Sequence, residues 1–379
     1  MRLYEFEGIE LLRREGIAVL DYALANTPEE AREKAQDIGL PVVLKAQVLT
    51  GGRSLAGGVE AAESLDEVQK AASRILASTI KGLPVHRILV APRVKRAREF
   101  YLGITVDDYY GSPLAVLSTE GGVSIEGVAR VHPEMVISRH VPAIKGILPD
   151  AQQMAGEAGL HGEELVQVAT ILRSLYSIFG KYDALVAEIN PLVRTSEGNY
   201  VALDAKIEID DSSLYRHTNL NLDMENRISN PLEKKGREIG VSYLELDGDI
   251  AIIASGAGLG MASMDIVSRS MRPANFLETG GAITEDLLYK VMDLVLQKEG
   301  VRGLFINVYG GINPIHEGAR GIVRYMRDHD VTIPIVAKAL GNHQEETWEI
   351  FRQHGVQVVT DVSTEKGVEQ LARLMEKQE

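Results

Sequence analysis

The residues of this sequence that could do chemistry are four glycine-rich stretches and one pair of oxygen-bearing side chains. Three of the stretches lie in the second half: 255–260 (SGAGLG), 279–284 (TGGAIT) and 309–313 (YGGIN). Each follows a short apolar run and precedes a helical pattern. Glycine lets backbone N–H groups approach an anion, and a helix N-terminus adds partial positive charge. A single such loop could serve only to turn a strand into a helix, but three at one sheet edge point to a ligand site. The first is not a dinucleotide fingerprint, because Met261 stands where the last glycine of GxGxxG belongs.

The fourth stretch, 45–59 (KAQVLTGGRSLAGGV), carries Lys45 on a strand and Arg53 in a flexible loop. Two such cations can counter the charge of nucleotide phosphates. GxxxxGK[ST] is absent, which excludes an ordinary P-loop. The oxygen-bearing pair is Asn190 and Asp204, expected at the ends of adjacent strands in a hairpin. Two oxygen ligands together with nucleotide phosphates suit Mg²⁺, which takes few protein ligands and keeps several waters.

The elements that must position these groups follow from periodicity. Residues 27–38 predict a helix capped by Thr27, with Pro28 at its first position. Runs at 41–48, 86–92, 99–106 and 113–118 predict strands. Leu165, Val168, Ala169, Leu172, Leu175, Tyr176 and Phe179 form a helical stripe within 162–180. The strands 183–189 and 199–205, turning at Glu197-Gly198, are expected to close the first half as a hairpin. The polar segment 207–240 reads as the connection between domains, because structureless loops of that length are uncommon inside one. Beyond it, apolar strands at 250–254, 274–278, 303–308, 333–339 and 356–359 alternate with helices. Five such βα units predict a parallel sheet covered on both faces, with ligands at the carboxyl ends of its strands.

Composition narrows the function classes. The chain has 379 residues, enough for two or three domains, and a net charge of −14. That charge disfavours nucleic acid and anionic membrane as partners. No apolar run is long enough for a transmembrane helix and the start lacks a signal-peptide pattern, so a cytoplasmic protein is expected. The absence of cysteine excludes a disulfide framework, a thiolate metal site and a cysteine nucleophile. The nine histidines show neither HExxH nor paired metal spacing. His316-Glu317 is expected to be a surface pair at a helix start, and Trp348 to be packing.

Taken together, KAQVLTGGRSLAGGV, EFYLGITVD, LSTEGGVSIEGVA, VAEINPL, VALDAKI, SGAGLGMASMDIV, PANFLETGGAITED and INVYGGINP are specific in order and spacing. Through them the chain resembles the beta subunit of succinyl-CoA synthetase (succinate–CoA ligase) over its full length. The resemblance implies an ATP-grasp domain over 1–235, with a lid subdomain at about 20–100. It implies a flavodoxin-like, five-stranded CoA-ligase domain over 241–379. It also implies an alpha subunit, in an αβ or (αβ)₂ assembly, that binds CoA and carries the phosphorylated histidine. No catalytic nucleophile is then expected in this chain. ATP or GTP, CoA, Mg²⁺ and a small carboxylic acid are the implied ligands.

Residue by residue, Lys45, Gly52, Arg53 and Ser54 match the family's nucleotide-phosphate segment, and Glu99 a nucleotide-site carboxylate. Asn190 and Asp204 match the magnesium ligands. Ser255, Gly311, Ile312 and Asn313 fall on the acid-binding positions. Gly256, Ala257 and Gly258 open the helix that faces the phosphohistidine. The implied reaction passes a phosphoryl group from nucleotide to histidine to carboxylate, and CoA then displaces phosphate from the acyl phosphate.

Several positions depart from the family pattern. GGRGKAGG reads GGRSLAGG, with Ser54 and Leu55 replacing glycine and lysine. Ala91 and Pro92 stand where a glutamate holds the nucleoside. Ser255 replaces asparagine, Asn313 replaces an apolar residue and is followed by Pro314, and RLEG reads Lys338-Ala339-Leu340-Gly341. These changes leave the acid open between succinate and a substituted short acid such as malate or sulfoacetate. A non-catalytic regulatory paralogue is the remaining alternative.

Overall fold

The computed structural model describes residues 1–141, 148, 150–222, 227–228, 230–281 and 283–377. It divides into two compact units, 1–223 and 224–379.

The first unit holds two main sheets. A four-stranded antiparallel sheet runs in the order Ala23–Ala25, Ile88–Pro92, Val42–Ala46, Val59–Ala62. The helices Pro28–Ile38 and Leu65–Leu76 cover it, turning Ala31, Ala35, Val68, Ala71, Ala72 and Ile75 inward. The predicted cap is present: Thr27 Oγ1 accepts from the Glu30 amide at 3.1 Å. The larger sheet is built on Ala184–Thr195, Arg96–Asp107, Ser112–Ser118 and Val136–His140. The helix Gly162–Lys181 buries its stripe against this sheet's core, with Leu165 at the edge and Ile178 added.

The predicted hairpin is drawn differently. Ala184–Thr195 is one continuous strand, and two short strands, Tyr200–Ala202 and Lys206–Ile209, share it as partner. Residues 206–209 therefore belong to the sheet, where Ile207 and Ile209 are fully buried, and not to a connection.

The far end of the expected connection is helical as well. Asn230 caps Pro231–Ile239 by accepting from the Leu232 and Glu233 amides, and Gly240 closes it in a left-handed conformation. This helix belongs to the second unit and packs on its edge strand Ser242–Glu245. Leu232 and Ile239, seven positions apart and so on one face, are its apolar residues that pack against the unit's core.

The second unit's sheet runs Ser242–Glu245, Asn275–Glu278, Ile250–Ala254, Gly303–Gly310, Ile335–Gly341, Gln357–Val359. The last five are parallel, in the flavodoxin-like order 2-1-3-4-5. The first is an added antiparallel edge, so the sheet has six strands where five were expected. Alternation serves two cores: Ala251, Ile253, Leu304 and Ile306 face one, while Ile250, Ile252 and Phe305 face the other. Among the described residues no helix is long and apolar enough to cross a membrane.

Candidate functional site

In the first unit the centre of the site is a residue that sequence reasoning missed. Glu5 opens the helix Glu5–Arg14, and its side chain is 1% exposed. Strand alternation sends Val42, Leu44 and Ala46 into the core and Lys45 to the other face. There Lys45 Nζ donates to Glu5 Oε1 at 2.8 Å and to the Leu203 carbonyl at 2.5 Å. Gln47 Nε2 donates to Glu5 Oε2 at 3.0 Å.

Arg53 lies 2.6 Å from Glu5 Oε2 and donates to the two Asp204 oxygens at 3.0 and 2.9 Å. Its other nitrogen donates to the Ala46 carbonyl at 3.0 Å. Two cations thus face two carboxylates, the arrangement that makes burial of charge tolerable. Burial by itself raises the Glu5 carboxyl, but Arg53 and Lys45 outweigh it and hold Glu5 below its ordinary value. Burial likewise disfavours the charged Arg53 guanidinium, yet Asp204 and Glu5 raise its pKa overall. Gly52 and Ser54 sit on the exposed part of the same loop, and Leu55 is 97% exposed. Lys81 Nζ, also missed from sequence, donates to the Gly51 carbonyl at 2.8 Å and adds a cation beside the loop.

Glu99 and Asn190 form the neighbouring edge. Glu99 sits opposite Val193 in the sheet, next to the turn at Gly121-Gly122. Gly122 has φ +74°, and a Cβ there would come within 2.3 Å of Glu99 Oε2, so a side chain would strain the backbone and push the Glu99 carboxylate aside. The Gly122 amide donates to Asn190 Oδ1 at 2.7 Å, and Asn190 Nδ2 donates to the Val123 carbonyl at 3.0 Å. Asn190 does not end a strand as expected; it lies at an irregularity inside Ala184–Thr195. Asp204 occupies the break between the two short partner strands. Leu203 joins the two clusters, donating to the Pro191 carbonyl at 3.0 Å while its own carbonyl accepts from Lys45.

In the second unit the predicted loops gather at the carboxyl ends of the parallel strands. Ser255 Oγ accepts from the Tyr309 amide at 2.8 Å and donates to the Tyr309 carbonyl at 3.2 Å. This ties the first glycine loop to the third. Asn313 lies beside Gly281, where a Cβ would come within 3.4 Å of its Nδ2, so the second and third loops also meet. Asn342 holds the loop from below, with its amide on the Gly310 carbonyl at 2.7 Å and Nδ2 on the Ile312 carbonyl at 2.8 Å. Gly341 makes that approach possible: its φ is +109°, and a Cβ would meet the Gly310 oxygen at 2.1 Å. Gly311 and Ile312 are exposed, Ile312 by 90%.

The helix Ala257–Val267 starts at Gly256 with no side-chain cap and no acid in its first turn. Its first N–H groups, at Ala257 and Gly258, therefore receive no capping side chain from Gly256. Lys338, one of the departures grouped with the acid site, is elsewhere. It is 6% exposed and donates to Asn307 Oδ1 at 3.2 Å within the sheet.

Both units are similar to known proteins. The ATP-grasp domain model matches residues 2–194 and the CoA-ligase model residues 253–371. The beta subunit of an ADP-forming succinate–CoA ligase from Rubrobacter xylanophilus is 42% identical, over 91% of both chains. A GDP-forming counterpart from Thermus thermophilus is 42% identical over 91% of this chain and 92% of its own. The ADP-forming beta subunit of Methanothermobacter thermautotrophicus is 38% identical over 97% and 99%. An ATP citrate lyase from Methanothrix soehngenii shares the fold, with a TM-score of 0.81 at 19% identity over 98% of this chain and 99% of its own.

Proposed function

The chain belongs to the succinate–CoA ligase beta-subunit family, and on that premise we propose that it is the nucleotide-binding subunit of an acid–CoA ligase. The coarse activity of that family is nucleotide-dependent CoA ligation. The observation that carries the finer reading is the cluster of Lys45, Arg53 and the buried Glu5 with the half-buried Asp204, which puts two cations beside a glycine loop. Phosphate oxygens compete for those cations with Glu5 and Asp204, so nucleotide binding exchanges internal ion pairs for external ones. Asn190 and Asp204 offer one amide and one carboxylate oxygen, a hard donor set that fits Mg²⁺. When bound, that ion neutralises charge on the phosphates.

The protein's own part is positioning and charge compensation. Lys45 and Arg53 orient the terminal phosphoryl group. Its P–O bond to the nucleotide breaks as a P–N bond forms to a histidine of an alpha subunit. The N-terminus of Ala257–Val267 then steadies the phosphoryl group while a carboxylate accepts it. CoA thiolate attacks the resulting acyl phosphate and expels phosphate. The acid is a short carboxylate held by Ser255 and the 311–313 loop. Relatives of equal similarity are named for ADP and for GDP, so both nucleotides enter the test.

The test is to co-purify the chain with its alpha subunit and supply γ-labelled ATP or GTP. Label on an alpha-subunit histidine, chased by acid and CoA into thioester and free phosphate, is the expected result. A panel of succinate, malate and sulfonated acids ranks the substrates. Absence of labelling, or turnover of ATP with an acid and an amine by this chain alone, would overturn the reading.

A further inference from the structure

His316 and His343 lie far apart in the sequence, and the fold brings them together. His316 is in the first turn of the helix Ile315–Asp328, and His343 caps the helix Gln344–Gln353. Their rings lie with centroids 4.3 Å apart, tilted by 38° to one another. Glu346, one turn into the second helix, brings Oε2 to 3.4 Å from His343 Nδ1 and 4.0 Å from His316 Nε2. One ligand atom from each of the three residues lies within 4.8 Å of the other two. The expectation of a plain surface pair at His316-Glu317 is thereby corrected: the ring is 12% exposed and faces a second imidazole and a second carboxylate, with Glu317 Oε1 3.3 Å from Nε2.

We propose that His316, His343 and Glu346 form a site for a divalent transition metal of the Zn²⁺ class. Two imidazole nitrogens and one carboxylate oxygen are the donors Zn²⁺ prefers, with a fourth position left for water or Glu317. Bonds of about 2.0–2.2 Å put ligand atoms of a tetrahedral site roughly 3.4 Å apart. The 3.4 and 4.0 Å separations are already close to that spacing.

Charge favours the site too. Glu346 and Glu317 supply two negative charges, and Arg320 offsets one of them at 2.9 Å from each. That contact leaves Glu346 Oε2 free while orienting the carboxylate through its other oxygen. His343 and Glu346 are exposed, which gives an ion its entry. One element of a fully supported site is missing. His316 Nδ1 is buried with no hydrogen-bond partner among the described residues. Outer partners of ligating histidines contribute about 10- to 100-fold in affinity, so binding weaker than at a fully supported site by about that factor is expected. The assignment does not depend on the acid-binding role of the neighbouring loop.

The experiment uses the full chain, stripped of metal and titrated with Zn²⁺ in excess Mg²⁺, so that hard oxygen sites are already filled. Calorimetry and elemental analysis should give one Zn²⁺ per chain. His343→Asn removes a ligand while keeping a residue type that tolerates the left-handed φ of 58° found there, so the fold is preserved. It and Glu346→Gln should each weaken binding about tenfold or more, and His316→Gln should do the same. No Zn²⁺ binding by the wild-type chain, or binding unchanged in all three variants, overturns the site.

Discussion

In the first unit the candidate site is built from charged side chains, and in the second from backbone groups presented by glycine loops. Lys45 and Arg53 are held in place by two carboxylates, Glu5 and Asp204. At the second site Ser255, Asn342 and Gly341 instead hold the chain itself in place. The two constructions differ in what damages them. A side-chain site fails when one charge is removed, since its partners are left buried and uncompensated. A backbone site tolerates exchange of side chains but not a change in the path of the chain. This explains why departures from the family pattern at Ser255, Asn313 and Pro314 coexist with the intact loop architecture.

Arg53→Met should have the largest effect. It leaves the Glu5 and Asp204 carboxylates without their guanidinium, at a cost of about 3–5 kcal/mol. It should also lower nucleotide-dependent turnover by roughly 10²-fold or more. Denaturant melts and single-turnover labelling read the two effects. Wild-type stability in this variant would show that the cluster is not held by its charges.

Glu5→Gln should cost about 3 kcal/mol near neutral pH, with a sign that pH can check. The Glu5 carboxyl is held below its ordinary value of 4.5. Its stabilisation is therefore present above that value and is lost as pH falls through the lower folded-state value. The stability gap between wild type and variant should close on acidification. A gap equal at pH 7 and pH 3.5 would count against the paired charge.

Gly341→Ala tests the second site. A Cβ would stand 2.1 Å from the Gly310 oxygen at φ +109°, and we expect a loss of about 1–3 kcal/mol. The KM for the acid should rise while the KM for nucleotide stays unchanged. A rise in both would mean that the two sites are not independent. Ser255→Ala removes two hydrogen bonds to Tyr309 and should cost only about 1 kcal/mol, with a similar selective rise in the acid KM. Ile312→Ala should be the mildest, because the side chain is 90% exposed. Stability should stay within about 0.5 kcal/mol, and any activity change larger than that of Ser255→Ala would show that this side chain, not its backbone, meets the acid.

Much of this was legible before the structure. The Thr27 cap, the 162–180 stripe and the parallel strands of the second unit are local patterns, and each appears where periodicity puts it. The boundary of the second unit was not legible, because Pro231–Ile239 is short and mostly charged and its two core-packed apolar residues, Leu232 and Ile239, sit at its ends. The added edge strand Ser242–Glu245 was missed for a similar reason, being short and only half buried. Glu5 gave no signal, since acids in a first helical turn are ordinary.

What the sequence by itself determined is most of the elements and the glycine loops that join them, together with the family those loops identify. Hydrophobic period, caps and glycine positions are short-range properties of the chain. Only the tertiary structure decided which charges share a site. Glu5 meets Arg53, and Arg53 meets Asp204, across 151 positions of chain; His316 meets His343 the same way. Pairing over such separations depends on how sheets and helices pack, and local sequence does not encode which buried carboxylate will find which cation.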